Sequence, residues 1–199
     1  MRIGIYGGTF SPPHIGHVAA ARAFAEQLEL DRLLIIPTYM PPHKSVDYDD
    51  DPARRFEMCR LAFSDIPNAE ISDIELKRGG KSYTADTLAE LSGEGRELFL
   101  LCGTDMILTL GEWYRPEEIF ARATPVYIRR ECDPETGRRI AEKLVEYKEK
   151  YRVDVLAVDA PVVEMASMDI RAALDEGRDI SDMVTPEVKK YIFENGMYR

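Results

Sequence analysis

Cysteine and histidine are scarce in this chain, and positive charge is outnumbered by negative. Over 199 residues, 26 Lys and Arg stand against 36 Asp and Glu, a formal net charge of −10. Nucleic-acid surfaces need basic patches, so that balance excludes a general one. The cysteines are three, Cys59, Cys102 and Cys132, widely spaced and with no C-x-x-C. Such an arrangement suits reduced thiols rather than a disulfide frame or a zinc knuckle. No apolar run approaches the length of a membrane span. Two familiar phosphate motifs are missing as well. No Gly-Lys-Ser/Thr follows a glycine-rich loop, and no G-x-G-x-x-G follows a strand.

What is present begins at the first strand. Arg2 leads into Ile3 and Ile5, which reads as a core strand rather than a signal peptide, so the chain is expected to stay in the cytoplasm. The strand runs into Gly7-Gly8-Thr9-Phe10-Ser11-Pro12-Pro13-His14-Ile15-Gly16-His17. Gly7 and Gly8 let a ligand approach the backbone. A helix opening after them turns free N–H groups toward the loop, which makes an anion site. His14 and His17, three apart, are expected to face that site together. The plainer reading is a strand-helix turn with two incidental histidines. The third histidine, His43, precedes Lys44 on a proline-stiffened loop, so all the histidine lies in two short motifs. A zinc site on the histidines lacks a third ligand nearby.

The rest of the chain alternates strands and helices with short connections. Helices are expected over Val18–Leu30, Ala53–Ser64, Ala85–Leu91, Met106–Leu110, from Pro116, Pro134–Tyr151, Met168–Leu174 and from Thr185 through Phe193. Strands are expected over Leu33–Ile36, Ala69–Leu76, Glu97–Cys102, Pro125–Ile128 and Val153–Val158. Asp47 to Asp51 is read as an acidic loop that caps the next helix, and Arg78-Gly79-Gly80-Lys81 as a flexible basic turn. Ser82 or Thr84, and later Ser167, are the expected helix caps. With 45% hydrophobic residues the chain can bury a core. The expectation is one α/β domain over 1–199, a doubly wound parallel sheet with helices on both faces.

With these pieces placed, the chain resembles the bacterial nicotinate-nucleotide adenylyltransferases of the nucleotidyltransferase superfamily. The opening block matches the family's GGTF-x-P-x-H-x-G-H. So do Pro41-Pro42-His43-Lys44, Ser82-Tyr83-Thr84-Ala85-Asp86-Thr87-Leu88, Gly103-Thr104-Asp105 ahead of Trp113, Ile170-Arg171, and the tail from Val188 to Tyr198. The resemblance implies a Rossmann-like fold and transfer of adenylate from ATP to nicotinate mononucleotide, in NAD biosynthesis. It implies His14, His17, Lys44 and Arg171 as catalytic phosphate clamps. On the ATP side it implies Gly7, Gly8, Thr9, Phe10, Gly103, Asp105 and Ser167 as well. For the acid substrate it implies Lys44, Ser82, Tyr83, Thr84 and Trp113. Mg²⁺ is expected to be held by substrate phosphates and water, with no protein ligand named. The expected partners are the two nucleotides, with no nucleic acid and no membrane; a homo-oligomer is compatible with the sequence.

Some of these residues have plainer readings: a core tryptophan at Trp113, simple capping at Ser82, Thr84 and Asp105. One block departs from the family. Its usual Ile-Ser-Ser-Thr-x-Ile-Arg is here Met165-Ala166-Ser167-Met168-Asp169-Ile170-Arg171. The expectation is that Ser167 and the helix's free N–H groups carry the motif, so the lost hydroxyls matter little. The alternatives are the same chemistry on nicotinamide mononucleotide or another phosphate acceptor, and a non-catalytic nucleotide-binding module.

Overall fold

The computed structural model describes residues 1–42, 51–129, 134–161, 163 and 165–198. Six strands form one sheet: β1 (Arg2–Gly8), β2 (Arg32–Pro37), β3 (Ala69–Ile71), β4 (Glu97–Cys102), β5 (Ala123–Arg129) and β6 (Leu156–Asp159). Their spatial order is β3-β2-β1-β4-β5-β6, and every adjacent pair is parallel. Ile5 of β1 sits opposite Leu34 on one side and Leu100 on the other. The inner strands are continuous apolar runs, Leu33 to Ile36 and Leu98 to Cys102, because a parallel sheet is covered on both faces.

Helices supply those covers. On one face, α1 (Ile15–Gln27), α2 (Pro52–Ala62) and a C-terminal helix (Pro186–Glu194) bring Phe24, Met58, Cys59, Val188 and Ile192 against Leu33, Ile35 and Leu101. The other face carries α3 (Ile74–Arg78), α4 (Thr84–Leu91), α5 (Thr104–Thr109), α6 (Pro116–Arg122) and α7 (Pro134–Tyr151), with Leu88, Ile107, Ile119, Phe120 and Tyr147 in its core. α8 (Ser167–Asp175) adds Ile170 and Ala173 to the first core, and the C-terminal helix is α9.

From β1 the chain winds outward through β2 to β3, then crosses to β4 on the other side of β1. The carboxyl ends of β1 and β4 therefore lead into connections that diverge, and a crevice opens between them. That crossover is where Gly7-Gly8 and Gly103 end up.

Several element boundaries differ from the sequence expectation. The strand expected over Ala69–Leu76 stops at Ile71, and Ile74 to Arg78 turn into α3. Ile71 and Ile74 are three apart, a helical rather than a strand spacing, and the Ser72 N–H closes the strand onto the Ile35 carbonyl. The strand expected from Val153 begins only at Leu156, and α1 begins at Ile15, before Val18. Arg78 is not part of a loose basic turn: it ends α3 bonded to Glu90 and Thr87, both at 2.7 Å. Asp51 does cap α2, its carboxylate accepting the Ala53 N–H; positions 47–50 lie outside the described residues.

Candidate active site

The loop after β1 builds one half of the site. Phe10 adopts a left-handed backbone, φ 50°, and is nevertheless buried. Such a conformation costs a non-glycine residue about 1–3 kcal/mol. An aromatic cluster offsets it: the Phe10 ring meets Tyr6, His17 and Phe63 edge-on at 5.3, 5.1 and 5.7 Å. Gly8 is required by this packing, since a Cβ there would stand 2.9 Å from the Phe10 ring.

His14 and His17 come together as expected, but not as two residues on one helical face. His14 occupies the N-cap of α1 and His17 its third position. His14 Nδ1 accepts the His17 N–H at 3.3 Å, and His17 Nδ1 accepts the His14 N–H at 3.1 Å. The rings stack 3.6 Å apart. Gly16 permits this, because a side chain there would press on the His14 ring at 3.0 Å. Each Nδ1 is an acceptor, so in the neutral ring the proton belongs on Nε2.

Of the helical N–H groups expected to be free at this end, those of Ile15 and His17 are engaged. The Ile15 N–H donates to the Met183 carbonyl at 3.1 Å, and the His14 and His17 N–H groups serve the histidine pair.

The late block grips this loop from the other end of the chain. Ser167 Oγ donates to the Pro12 carbonyl at 2.9 Å, and an Arg171 Nη1–H donates to the Ser11 carbonyl at 2.6 Å. The Ser11 hydroxyl lies 3.2 Å from Tyr198 Oη. Ser167 is therefore not the expected cap of α8. Ala166 takes that position, and the Asp169 carboxylate accepts its N–H at 2.7 Å. Met168, which replaces the family's threonine, is 65% exposed.

The second half is a cavity of about 280 Å³ at the mouth of the crossover. Gly7, Gly8, Thr9, Tyr83, Thr84 and Trp113 are among its lining. Trp113 follows a short 3-10 turn (Leu110–Glu112) and is half-buried, with Nε1 donating to Thr109 Oγ1 at 3.4 Å. It is thus a wall of the cavity rather than a core residue. The ring of Tyr114, next to it, lies against that of Tyr83, tilted by 34° with centroids 4.3 Å apart. Tyr83, not Ser82 or Thr84, occupies the N-cap of α4, and no side chain caps that helix. The Tyr83 N–H already donates to the Lys81 carbonyl, whereas among the described residues those of Thr84 and Ala85 meet no acceptor. Ser82 lines the same cavity, buried, its hydroxyl accepting the Tyr39 N–H at 2.9 Å.

Gly103 and Asp105 do not join this lining. Gly103 occupies the N-cap of α5, and Asp105 is exposed in its first turn, bonding no cap position. His43 and Lys44 lie outside the described residues.

Two residues were missed by sequence reasoning. Arg55 of α2 is only 2% exposed and donates to the carbonyls of Thr9 at 3.0 Å and Tyr39 at 3.3 Å, bracing the loops after β1 and β2. Its spacing to Met58, Cys59 and Ala62 marked it as inward-facing. Glu75 of α3 is a buried acid in the cavity wall. The two described thiols are buried: burial pushes Cys59 far above its ordinary value and Cys102 up to about 12.

Comparison with known proteins agrees with this geometry. The cytidylyltransferase-like family model matches residues 5–193. A protein of Caldicellulosiruptor saccharolyticus, "Probable nicotinate-nucleotide adenylyltransferase", is 35% identical over 200 residues, covering 100% of both chains. One of the same name from Exiguobacterium sibiricum is 37% identical, covering 100% of this chain and 99% of its own. The fold matches that of Plasmodium falciparum nicotinic acid mononucleotide adenylyltransferase complexed with NaAD, with a TM-score of 0.75 and 18% identity over 99% and 97% of the two chains. A six-stranded parallel sheet, a histidine pair at its central crossover and full-length identity above 30% lead to one assignment: the chain belongs to the nicotinate-nucleotide adenylyltransferases of the cytidylyltransferase-like family.

Proposed function

We propose that this chain joins nicotinate mononucleotide to ATP, giving nicotinate adenine dinucleotide and pyrophosphate in NAD biosynthesis. The observation that carries the mechanism is the reciprocal histidine cap. With both Nδ1 atoms accepting backbone N–H groups, both neutral rings carry their proton on Nε2, in one rigid stack.

The nucleophile is a phosphate oxygen of the mononucleotide, so no general base is needed. That oxygen bonds to the α-phosphorus of ATP as the α–β bridge breaks and pyrophosphate leaves. The protein's task is alignment and relief of negative charge. His14 and His17 hydrogen-bond the phosphates; Arg171 and Ser167, which hold the loop that presents them, add further contacts to ATP, Arg171 as a phosphate clamp. Lys44 adds a further phosphate contact in this reading, and Gly103 and Asp105 contribute on the adenosine side.

Trp113 stacks on the pyridine ring, whose cationic face suits an indole. The ring carboxylate takes donors at the start of α4, by Thr84, with Ser82 and Tyr83 shaping the wall. Among the described residues no group of three or more His, Cys, Asp and Glu gathers that could hold a metal. In this reading Mg²⁺ would be carried mainly by substrate phosphate oxygens and water, as is usual for that ion. Bound there, the ion would supply charge neutralisation on the triphosphate. The reading also treats the chain as one domain acting in the cytoplasm; no described helix is long and apolar enough to cross a membrane.

Turnover of nicotinate and nicotinamide mononucleotides, compared side by side with ATP, tests the acceptor. Preference for the acid supports the reading, and preference for the amide overturns it.

A further inference from the structure

Glu75 is an acid that the phosphate chemistry leaves unused. It is 6% exposed, in the first turn of α3, and it lines the ring cavity with Ser82, Tyr83, Thr84 and Trp113. Its Oε1 accepts the Thr87 hydroxyl at 2.7 Å, and Arg78 stands 3.7 Å from the same oxygen. Arg78 is shared with Glu90 and Thr87, so it does not neutralise Glu75 alone. The other oxygen, Oε2, is buried without a well-formed hydrogen bond, although the Ser82 hydroxyl is close enough to act on the carboxylate. Thr38 Oγ1, which belongs to another residue lining this cavity, is also buried without a hydrogen-bond partner. Buried polar atoms left unpaired are costly, and a native structure keeps them where a ligand completes them.

The chemistry of the ligand decides what Oε2 does. A pyridine carboxylate entering this cavity would bring a second negative charge beside Glu75. Two carboxylates in one low-dielectric site cannot both remain ionised. The ring carboxylate sits on a cationic ring and is the stronger acid, so the proton resides on Glu75. A carboxylic acid offers one O–H donor where a carboxylate offers none.

We propose that Glu75 determines specificity for the acid substrate: in its protonated form it donates a hydrogen bond from Oε2 to the ring carboxylate, next to the open N–H groups of α4. The proposal rests on the adenylyl-transfer reading above. The proton comes from solvent on binding and returns on release, and no covalent bond changes. Burial raises the Glu75 carboxyl above its ordinary value, while the Thr87 and Ser82 hydroxyls and Arg78 pull it down and Glu90 raises it again. Across the cavity, among the described lining residues, the other ionisable groups are the Tyr83 and Tyr114 phenols. Because the acid form binds, affinity for nicotinate mononucleotide is lost as pH rises through the Glu75 ionisation.

The test is the pH dependence of the KM for nicotinate mononucleotide and for ATP, in wild type and in Glu75→Gln. The expected wild-type KM for nicotinate mononucleotide climbs about tenfold per pH unit above the ionisation. The Gln variant, whose amide keeps a donor, should lack that climb, and the KM for ATP should follow one profile in both proteins. Calorimetry of wild type in two buffers of different ionisation enthalpy needs no variant, and should show proton uptake on binding. Superimposable profiles, or no proton uptake, overturn the role of Glu75 while leaving the reaction intact. Absence of pyrophosphate release at every pH overturns the reaction and this role with it.

Discussion

Arg171 donates to the carbonyl of Ser11 at 2.6 Å, a hydrogen bond that spans 160 residues of chain. Beside it, Ser167 holds the Pro12 carbonyl at 2.9 Å. The opening motif and the late motif are thus one physical unit. The second fixes the backbone on which the histidines of the first are mounted, and β1 and α8 could not present this site separately.

Arg171→Lys should therefore harm catalysis more than folding. A hydrogen bond from a charged group is worth about 1.5–3 kcal/mol, or roughly ten- to a hundredfold in rate. We expect kcat/KM to fall within that range while the thermal midpoint moves little. Steady-state kinetics beside a melting curve checks it; an equal loss in both would reduce Arg171 to a structural strut.

His14→Asn separates capping from chemistry. Asparagine is among the best N-cap residues, so stability should change by no more than about 1 kcal/mol. The Nε2–H donor is gone, and removing one such donor costs about a hundredfold or more in kcat. Denaturant unfolding and turnover together read the two effects. Retained turnover in a protein this close in stability would contradict the assignment.

How much of this was legible beforehand depends on the kind of interaction. β2 and β4 were readable because Leu33 to Ile36 and Leu98 to Cys102 are unbroken apolar runs bounded by Pro37 and Gly103. The opening loop was readable because glycines and spaced histidines crowd into it. The occupation of the Ile15 N–H at the start of α1 was not, since its acceptor is Met183, far along the chain. Nor was the end of β3, where a helical spacing of Ile71 and Ile74 overrode a β-like composition. Arg55 and Glu75 escaped notice because charge suggests a surface, and only tertiary packing buries them.

Trp113 is the chain's single tryptophan, so its fluorescence reports on the ring cavity alone. Titration with nicotinate mononucleotide should quench it, and titration with ATP should not. Trp113→Ala should raise the KM for the mononucleotide by roughly five- to a hundredfold, the equivalent of about 1–3 kcal/mol of stacking. An effect confined to the KM for ATP would place the pyridine elsewhere.

Restoring the family's threonine should do little. Met168 is exposed, and the Ser167 hydroxyl beside it is engaged with Pro12. Met168→Thr should leave the KM for ATP well within tenfold of wild type, a limit equivalent to about 1.4 kcal/mol. A larger fall would mean that a missing hydroxyl had been holding the triphosphate.

The most direct measurement is pyrophosphate release from ATP and Mg²⁺ with and without nicotinate mononucleotide, with the dinucleotide product identified by mass. Adenylyl transfer at the crossover requires stoichiometric pyrophosphate and nicotinate adenine dinucleotide that appear only when both substrates are present, and that fall sharply in His17→Ala. Folded protein that releases no pyrophosphate, or a His17→Ala variant as active as wild type, would contradict it.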